Sequence, residues 1–453
     1  MARMHVTVSD LVEQIAEPSP RGIAAGIARL MRAGELRPGD RLPTVRSLSA
    51  ALGVSPATVS GAWHALADVG LVVTRGRAGT FVLPEPASWL PPRYRTMNET
   101  THDTELDLST GTPDPRLLPS IGRALVRAAS RLQGAETGSY VAAPVLPELE
   151  ALIRETWPFT AQRITVVDGA LDALARAVEQ ATSFGDRIAV ENPGFPPVFD
   201  LLEQAGRDRV LVELDEHGIT PPSLESALRK NVTALIVQPR AHNPTGVSIS
   251  PTRGRELAAI LRQHPGVTVF EDDHSGDVSA ARDFSLGTLL PMRVVRIRSY
   301  SKSHGPDLRI AAIGGPAAVI DPLVARRMLG PGWTSRLLQR VLIDLLTDAD
   351  AMDAVTHARR VYYSRSHLLT AALAAEGIEI RPGDGINMWL PVHDEQVALT
   401  RLASASVSAA PGTPFFAARD SEYARRDHIR ISLSTDLADV TDLARVLAHA
   451  ARP

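Results

Sequence analysis

Residues 294–309 are VVRIRSYSKSHGPDLR, an apolar run followed by hydroxyl residues, a lysine and an arginine. The apolar part predicts a buried strand, so Lys302 would emerge at the carboxyl end of a sheet strand, where ligands of open α/β sheets bind. Lys302 is one of two lysines among 48 basic residues, and Lys230 is the other. Because an arginine stays protonated and cannot form an imine, we consider Lys302 a candidate for covalent chemistry.

Short apolar runs alternate with helical patterns throughout residues 106–453. The runs that precede Lys302 lie at 164–167, 187–192, 209–214, 234–239 and 267–272. This alternation predicts an α/β domain with a mainly parallel sheet flanked by helices. A long helical stretch near residues 334–375 and a mixed tail after residue 376 predict a smaller C-terminal subdomain.

Polar residues stand at the predicted ends of other strands. Asp272 ends VTVFED, Asn243 follows the run ALIVQP, and Gly169 with Ala170 opens a helix in VVDGALDAL. Helix N-termini and arginine forks bind phosphate, and an acid, an amide and a lysine beside such a cup describe a pyridoxal phosphate site. Each feature alone also fits an ordinary turn or helix cap, so their order and spacing carry the interpretation.

With these motifs in this order, residues 106–450 resemble the fold-type I aminotransferases. The resemblance implies that Lys302 forms an imine with pyridoxal 5'-phosphate, that Asp272 pairs with the ring nitrogen, and that Asn243 binds the ring hydroxyl. Phe195 would stack on the ring and Arg430 would bind a ligand carboxylate. The implied phosphate contacts are Ser299, Ser301, Arg309, Gly169, Ala170 and, across a subunit interface, Tyr140.

Three residues depart from the family pattern. His274 replaces a tyrosine that follows the aspartate, Phe195 stands where tyrosine is common, and Ala170 stands where a serine often donates a hydroxyl. We expect these changes to affect rate and tuning more than cofactor binding. For His274 the alternative is simple packing at the strand end, since a single histidine carries little information.

Residues 1–82 form a separate, mildly basic segment with nine arginines against six acids. Apolar spacing predicts a helix from about Ile23 to Gly34, a second helix capped by Thr44, and a third that begins at Ser55 and ends near Gly70. Two short apolar runs joined by RGRAG at 75–79 then predict a β-hairpin with an arginine-rich tip. The order is helix, turn, helix and wing.

Residues 35–82 resemble the winged helix-turn-helix domain of the GntR family. Such a domain places its second motif helix in the major groove of DNA, with the wing against the backbone or minor groove. Pro56 and Ser60 stand where relatives often have arginines, so fewer base contacts are expected. A winged helix used for protein contact is the alternative. The implied DNA-binding residues are Arg46, Ser55, Thr58, Ser60, Arg75, Gly76 and Arg77.

Residues 83–105 contain four prolines and few aliphatic residues, which predicts an extended linker. A GntR-type head, a linker and an aminotransferase-like body at 106–453 resemble the MocR subfamily of bacterial transcription regulators. The resemblance implies a homodimer that binds an operator in double-stranded DNA and pyridoxal 5'-phosphate, and that responds to an amine or amino acid. The alternatives are a working aminotransferase that carries a DNA-binding head and a binding protein with a vacant fold, which Lys302 disfavours.

Composition limits the remaining functions. The 453 residues include no cysteine, which excludes disulfides, thiolate metal sites and a cysteine nucleophile, and we predict no metal site. Charged residues make up 22% of the chain, and no uncharged apolar run reaches the ~18 residues of a membrane span. We therefore expect a cytoplasmic protein with no membrane partner.

Overall fold

A computed structural model provides the coordinates of the chain. It describes residues 8–15, 17–68, 71–74, 76, 79–83, 90–97, 104–131, 138–418, 427–437 and 439–453. The chain divides into two compact units, Met1–Arg95 and Thr96–Pro453.

The first unit contains the predicted helices and one that the sequence pattern did not reveal. Its helices are Val8–Gln14, Pro20–Arg32, Val45–Leu52 and Pro56–Asp68. Ser19 caps the second of them and Thr44 the third, each by accepting a hydrogen bond from a backbone N–H two or three residues inside the helix. Buried Ile23, Ile27 and Leu48 pack with the helix Val8–Gln14 in one apolar core.

Strands Val72–Thr74 (β1) and Thr80–Val82 (β2) pair antiparallel and form the predicted hairpin. The segment between the two units differs from the extended linker that we expected, because Pro92–Met97 is helical. A proline in the first turn costs the helix no hydrogen bond and presets its backbone angle. Met97 at its end is buried.

The second unit contains, within the described residues, an eight-stranded sheet. Its strands are Arg163–Val167 (β4), Arg187–Asn192 (β5), Asp208–Asp215 (β6), Gly218–Ile219 (β7), Val232–Val237 (β8), Thr268–Asp273 (β9), Val294–Ser299 (β10) and Ala311–Gly315 (β11). Their order is β4-β11-β10-β9-β8-β5-β6-β7. Strand β11 runs antiparallel to both of its neighbours and β7 antiparallel to β6, while the central strands are parallel. The sheet is therefore mainly parallel, as predicted.

Helices cover both faces of this sheet, and several begin with proline after a capping residue. The helices of this region are Ile121–Arg131, Pro147–Glu155, Ala170–Ala181, Pro196–Gln204, Pro221–Leu228, Pro251–Arg262, Ala317–Met328 and Arg336–Thr347. Ser250, for example, caps the helix Pro251–Arg262 by accepting from the N–H of Arg253. Strands β8, β9 and β10 are buried almost throughout, as expected for parallel strands covered on both faces.

The predicted long helix near residues 334–375 is two helices, Arg336–Thr347 and Ala349–Ala375. Asp348 has an extended conformation between them, and its side chain accepts from the N–H of Ala351 to cap the second helix. The local capping hydrogen bond of Asp348 therefore interrupts the predicted helical stretch.

A smaller sheet belongs to the C-terminal part. It contains Leu106–Leu108 (β3), Asn387–Val392 (β12), Val407–Pro411 (β13) and Asp427–Ser432 (β14), in the order β12-β14-β13-β3. The helices Ala349–Ala375, Glu395–Ser404 and Val440–Ala451 contribute to its apolar core. None of the helices described has an apolar stretch long enough to span a bilayer.

Candidate functional site

Five of the residues predicted for cofactor binding lie at the carboxyl ends of strands in the eight-stranded sheet. Asp272 is near the end of β9, Lys302 follows β10, and Asn243 follows β8. These three strands are parallel neighbours, so their carboxyl ends meet at the same edge. Gly169 and Ala170 follow β4, which runs in the same direction because two antiparallel pairings separate it from β10.

Lys302 is half-buried at this edge, and its Nζ donates a hydrogen bond to the carbonyl of Gly111. Burial lowers the pKa of Lys302 from 10.5 to about 8, and the nearby positive charge of Arg430 acts in the same direction. A neutral amine is the nucleophilic form of lysine. The environment therefore prepares Lys302 for attack on a carbonyl near neutral pH.

Asp272 is buried, and only one of its two carboxylate oxygens accepts a hydrogen bond from a described residue. Its Oδ2 accepts a hydrogen bond of 2.9 Å from Nε2 of Gln238, while its Oδ1 has no hydrogen-bond partner among the described residues. Burial raises the pKa of Asp272, against the lowering effect of His274. A buried carboxylate oxygen without a donor costs free energy, so it marks a place where a cationic or N–H group is missing.

Asn243 likewise has a buried side-chain oxygen that accepts no hydrogen bond from the described residues. Its backbone N–H donates to Oε1 of Gln238 at 2.8 Å, and its side-chain Oδ1 is buried without a partner in the part of the chain that the structure describes. Gln238 thus joins the two residues through its own amide. The sequence did not identify Gln238, although it lies in the quoted run ALIVQP immediately before a proline.

His274 is held by a local contact. Its Nε2 lies 2.9 Å from the carbonyl oxygen of Ala241, so this nitrogen carries the proton and donates. Burial lowers the pKa of His274, with Lys302 acting in the same direction and Asp272 against it. At neutral pH the imidazole is therefore uncharged, and its Nδ1 is left as a hydrogen-bond acceptor.

The predicted phosphate turn has the backbone shape that an anion site needs. Gly169 has φ of 114° and precedes the helix that starts at Ala170. A Cβ at Gly169 would lie 2.6 Å from Nη2 of Arg309, so only glycine allows the guanidinium this close. That same Nη2 donates to the carbonyl of Asp168 at 2.6 Å.

A support that the sequence did not reveal fixes Asp168. Buried Arg327 donates to Oδ2 of Asp168 at 2.9 Å and to the carbonyl of Val166 at 2.7 Å, and the hydroxyl of Thr334 donates to Oδ1 at 2.6 Å. Ser299 is buried and its Oγ accepts from the N–H of Ser301 at 3.2 Å. The turn and the two serines therefore have defined positions.

The remaining predicted residues of this site fall into two groups. Phe195 is half-buried at the start of the helix Pro196–Gln204, and buried Arg430 on β14 donates to the carbonyl of Ser109 and lies over the ring of Phe415 at 5.3 Å. Ser109 and Gly111 thus connect Arg430 with Lys302. Tyr140, by contrast, is 83% exposed, and its ring lies edge-on to that of Trp333.

Three of the predicted DNA-binding residues, Arg46, Ser55 and Gly76, are exposed on the first unit, and Thr58 is half-buried. Arg46 is exposed in the first turn of Val45–Leu52, and Gly76 is exposed with φ of 52°. Ser55 caps the next helix, since its Oγ accepts from the N–H of Thr58 at 3.2 Å. Ser60 is half-buried on that helix. Arg75 and Arg77 lie outside the described residues.

One further arginine of the head was missed by sequence reasoning. Exposed Arg41 forms a backbone bridge with Phe81, and its guanidinium lies against Gly79, where a Cβ would be 2.6 Å from Nε. Arg41 therefore adds a positive charge beside the hairpin. The surrounding sequence, RPGDRL at residues 37–42, has no apolar periodicity that would indicate this role.

Comparisons with known proteins agree on both units. Residues 103–447 match the family described as aminotransferase class I and II, and residues 21–82 match the bacterial regulatory proteins of the gntR family. The chain is 36% identical over 409 residues to the vitamin B6 salvage pathway transcriptional repressor PtsJ of Salmonella typhimurium, covering 89% of this chain and 91% of the relative. It is 27% identical to the pyridoxine biosynthesis transcriptional regulator PdxR of Corynebacterium glutamicum, covering 81% of each.

Solved aminotransferase structures share the fold of the second unit. A Pyrococcus horikoshii kynurenine aminotransferase, solved in complex with PMP, superposes with a TM-score of 0.68 at 21% identity and covers 77% of this chain and 91% of its own. The α-aminoadipate aminotransferase LysN of Thermus thermophilus superposes with a TM-score of 0.66 at 22% identity, over 80% of this chain and 98% of its own. At these identities the likeness concerns the fold.

Proposed function

The chain belongs to the aminotransferase class I and II family and carries a gntR-family regulatory domain, the arrangement of MocR-type transcription regulators, and we propose that a ligand bound at Lys302 controls its DNA binding. The observation that carries the proposal is the pair of unsatisfied oxygens on Asp272 and Asn243 beside Lys302. A purely structural domain would fill or pair these atoms.

The residues of the sheet edge fit pyridoxal 5'-phosphate. When bound, this cofactor supplies an aldehyde that forms an imine with amines and a ring that withdraws electrons. Lys302 supplies the amine, Oδ1 of Asp272 would hold the protonated ring nitrogen, and Asn243 would bind the ring hydroxyl. The N-terminus of Ala170–Ala181, Ser299, Ser301 and Arg309 would bind the phosphate.

Arg430 is the proposed contact for the carboxylate of an incoming amino acid. It is buried, it lies at the 109–111 segment that also contacts Lys302, and its charge favours an anion beside it. An amine that replaces Lys302 on the cofactor would free Nζ and change the charge in this segment. The proposed effector is therefore an amine or an amino acid.

The proposed assembly is a homodimer. Exposed apolar side chains of the second unit support it, since Tyr140, Val141 and Leu329 are 83%, 94% and 81% exposed. The ring centroid of Tyr140 lies 6.0 Å from that of Trp333. Apolar groups exposed to this extent are typical of subunit interfaces, and a partner there would let Tyr140 serve the phosphate of the other subunit.

A second candidate follows from the names of two relatives, which describe control of vitamin B6 salvage and pyridoxine biosynthesis. Here the cofactor itself is the signal, and its capture by Lys302 changes DNA affinity without a further amine. Both candidates use the same site. They differ in whether the cofactor alone alters DNA binding.

The test measures DNA affinity with duplexes that the cofactor-loaded protein selects from a randomised pool. Kd is measured by fluorescence anisotropy for protein without cofactor, with cofactor, and with cofactor plus individual amines and amino acids. Arg46→Ala should weaken binding of the selected duplex by about tenfold or more, since a contact to base or phosphate is lost. Arg229→Ala, at an exposed arginine of the second unit, is the matched control.

The variant Lys302→Ala tests whether the response to amines depends on Lys302. The proposal expects this variant to bind the selected duplex and to lose the response to amines. Equal binding of selected and random duplexes by the wild type would contradict a sequence-specific regulator. Rapid steady conversion of an amino acid and a keto acid by the wild type would favour a working aminotransferase instead.

A further inference from the structure

A cavity of about 670 Å³ lies on the other side of the sheet from the cofactor site. Arg298 and Tyr300 line it, whereas Ser299 between them does not, because successive side chains of a strand point to opposite faces. Arg240, on the segment that leads to Asn243, also lines it. The cavity therefore borders the same strand ends as the cofactor site.

Two arginines of the cavity wall are already paired. Arg240 forms an ion pair with Asp273 at 2.7 Å. Arg298 donates to the hydroxyl of Thr156 at 2.7 Å and to its carbonyl at 2.6 Å. These side chains hold the wall together and need no ligand.

Two other charged groups of the wall are incomplete. Arg359 donates through Nε to the carbonyl of Asp277 at 2.7 Å, and its two terminal nitrogens have no hydrogen-bond partner among the described residues. The carboxylate of Asp277 likewise forms no hydrogen bond or ion pair with any described residue, and Arg359 is no exception. The cavity wall therefore contains a guanidinium group and a neighbouring carboxylate that form no ion pair with the described residues.

The groups near Asp277 are neutral around pH 7. Burial lowers the pKa of His304 to about 4, with Asp277 acting against it, and burial raises the pKa of Tyr300 to about 12. Neither side chain therefore neutralises the carboxylate. Both form part of the cavity lining.

The rest of the cavity offers an apolar surface. Leu152, Leu345, Leu346 and Val355 line it, and Met352, which is 53% exposed, lies at its rim. A carboxylate, an ammonium and an aliphatic side chain together match the fork of Arg359, the carboxylate of Asp277 and this apolar wall.

We propose that the cavity is a second ligand site that binds an apolar α-amino acid, with its carboxylate on Arg359 and its ammonium on Asp277. Tyr300 lies between Ser299 and Ser301, and His304 is two residues from Lys302, so a ligand here contacts the reverse side of the cofactor site. The site gives the protein a chemical input that needs no reaction at Lys302. It does not rest on the function proposed above.

The experiment measures binding of L-leucine to full-length protein that has been treated with borohydride. Reduction fixes any cofactor imine, so amine exchange at Lys302 no longer contributes, and protein without cofactor is unaffected. Isothermal titration calorimetry should show one L-leucine per chain. 4-Methylpentanoate, which lacks the amine, and 3-methylbutylamine, which lacks the carboxylate, should each bind at least about tenfold more weakly, because a charge-assisted hydrogen bond is lost.

Variants locate the site. Asp277→Asn and Arg359→Gln should each weaken L-leucine binding by about tenfold or more, while Arg282→Gln at an exposed arginine of the rim should leave it unchanged. Arg359→Gln removes a hydrogen bond to the carbonyl of Asp277, so a thermal melt checks its fold. The carboxylate of Asp277 forms no hydrogen bond or ion pair within the described part of the chain, so Asp277→Asn stays informative. No binding to the reduced wild type at about 10 mM, equal binding by Asp277→Asn, or equal binding of 4-methylpentanoate would overturn the proposal.

Discussion

Asp272 and Asp273 are consecutive residues of strand β9 with opposite environments. Asp273 accepts from Arg240 at 2.7 Å and from Arg296 at 2.8 Å, and these guanidinium charges hold its pKa well below the usual range. Asp272 has one amide contact and one unsatisfied oxygen, and burial raises its pKa. Both are fully buried carboxylates, so burial alone does not explain the difference.

The comparison shows that two neighbouring buried acids on opposite faces of one strand can differ in how far the chain itself supplies their partners. On the face of Asp273, the wholly buried Arg296 also contacts Glu271 at 3.2 Å, so the charges of this ion-pair network are balanced within the chain. On the face of Asp272, one carboxylate oxygen has no hydrogen-bond partner among the described residues, which is the basis for proposing a ligand there. A buried acid with its partners inside the chain is a structural element, and one that lacks them is a candidate binding group.

The largest expected effect is a loss of stability when a charge is removed from the ion-pair network around Asp273. Asp273→Asn should lower the free energy of unfolding by about 3–5 kcal/mol, because it leaves Arg240 and Arg296 buried with insufficient negative charge. Asp272→Asn in cofactor-free protein should change it by no more than about 1 kcal/mol, since Gln238 can still donate to the new amide. Urea unfolding followed by circular dichroism compares the two variants. Equal losses would mean that the two faces do not differ in this way.

A second prediction concerns the pH dependence of stability in cofactor-free protein. The pKa of Lys302 is lowered to about 8 in the folded state, so between pH 8 and its usual value of 10.5 the unfolded chain binds a proton that the folded chain does not. The free energy of unfolding of the wild type should therefore rise relative to Lys302→Met by about 1.4 kcal/mol per pH unit in this window. Below pH 8 the difference should be constant, with Lys302→Met the more stable.

Urea unfolding of both proteins from pH 7 to 10.5 measures this difference. Other titrating groups contribute equally to wild type and variant and cancel. A difference that stays flat across the window would show that the folded protein does not depress the pKa of Lys302.

A third prediction compares cofactor retention when an acid on either face of the sheet is neutralised. Asp272→Asn should weaken retention of pyridoxal 5'-phosphate by about tenfold or more, because an amide cannot balance a protonated ring nitrogen as a carboxylate does. Dialysis followed by visible absorbance measures the retained cofactor. Asp283→Asn, which lies with the charges on the face of Asp273, should retain the cofactor like the wild type. Equal retention by all three proteins would remove Asp272 from the site.

The sequence predicted the sheet edge better than the contacts around it. Lys302, Asp272 and Asn243 could be placed because each follows a recognisable apolar run. Gln238 and the 109–111 segment could not, since their roles depend on hydrogen bonds between residues far apart in the chain. The helix break at Asp348 was missed because its cap is a local competition that apolar periodicity does not reveal.

The smallest expected effect concerns His274. Its Nε2 is engaged with Ala241, so the ring can influence a ligand only through Nδ1 or through its proximity to Asp272 and Lys302. His274→Ala should leave the cofactor bound and shift the midpoint of its pH-dependent visible spectrum by less than about one unit. An unchanged spectral titration would mean that His274 only packs at the strand end.

The most direct test of the account is to locate the cofactor on the chain. Purified protein incubated with pyridoxal 5'-phosphate is reduced with borohydride, digested with trypsin and mapped by mass spectrometry. Modified Lys302 blocks cleavage, so the account predicts the phosphopyridoxyl group on the intact peptide SYSKSHGPDLR, Ser299 to Arg309. A group on Lys230, or no stable adduct at all, would contradict the assignment of Lys302 and with it the central claim.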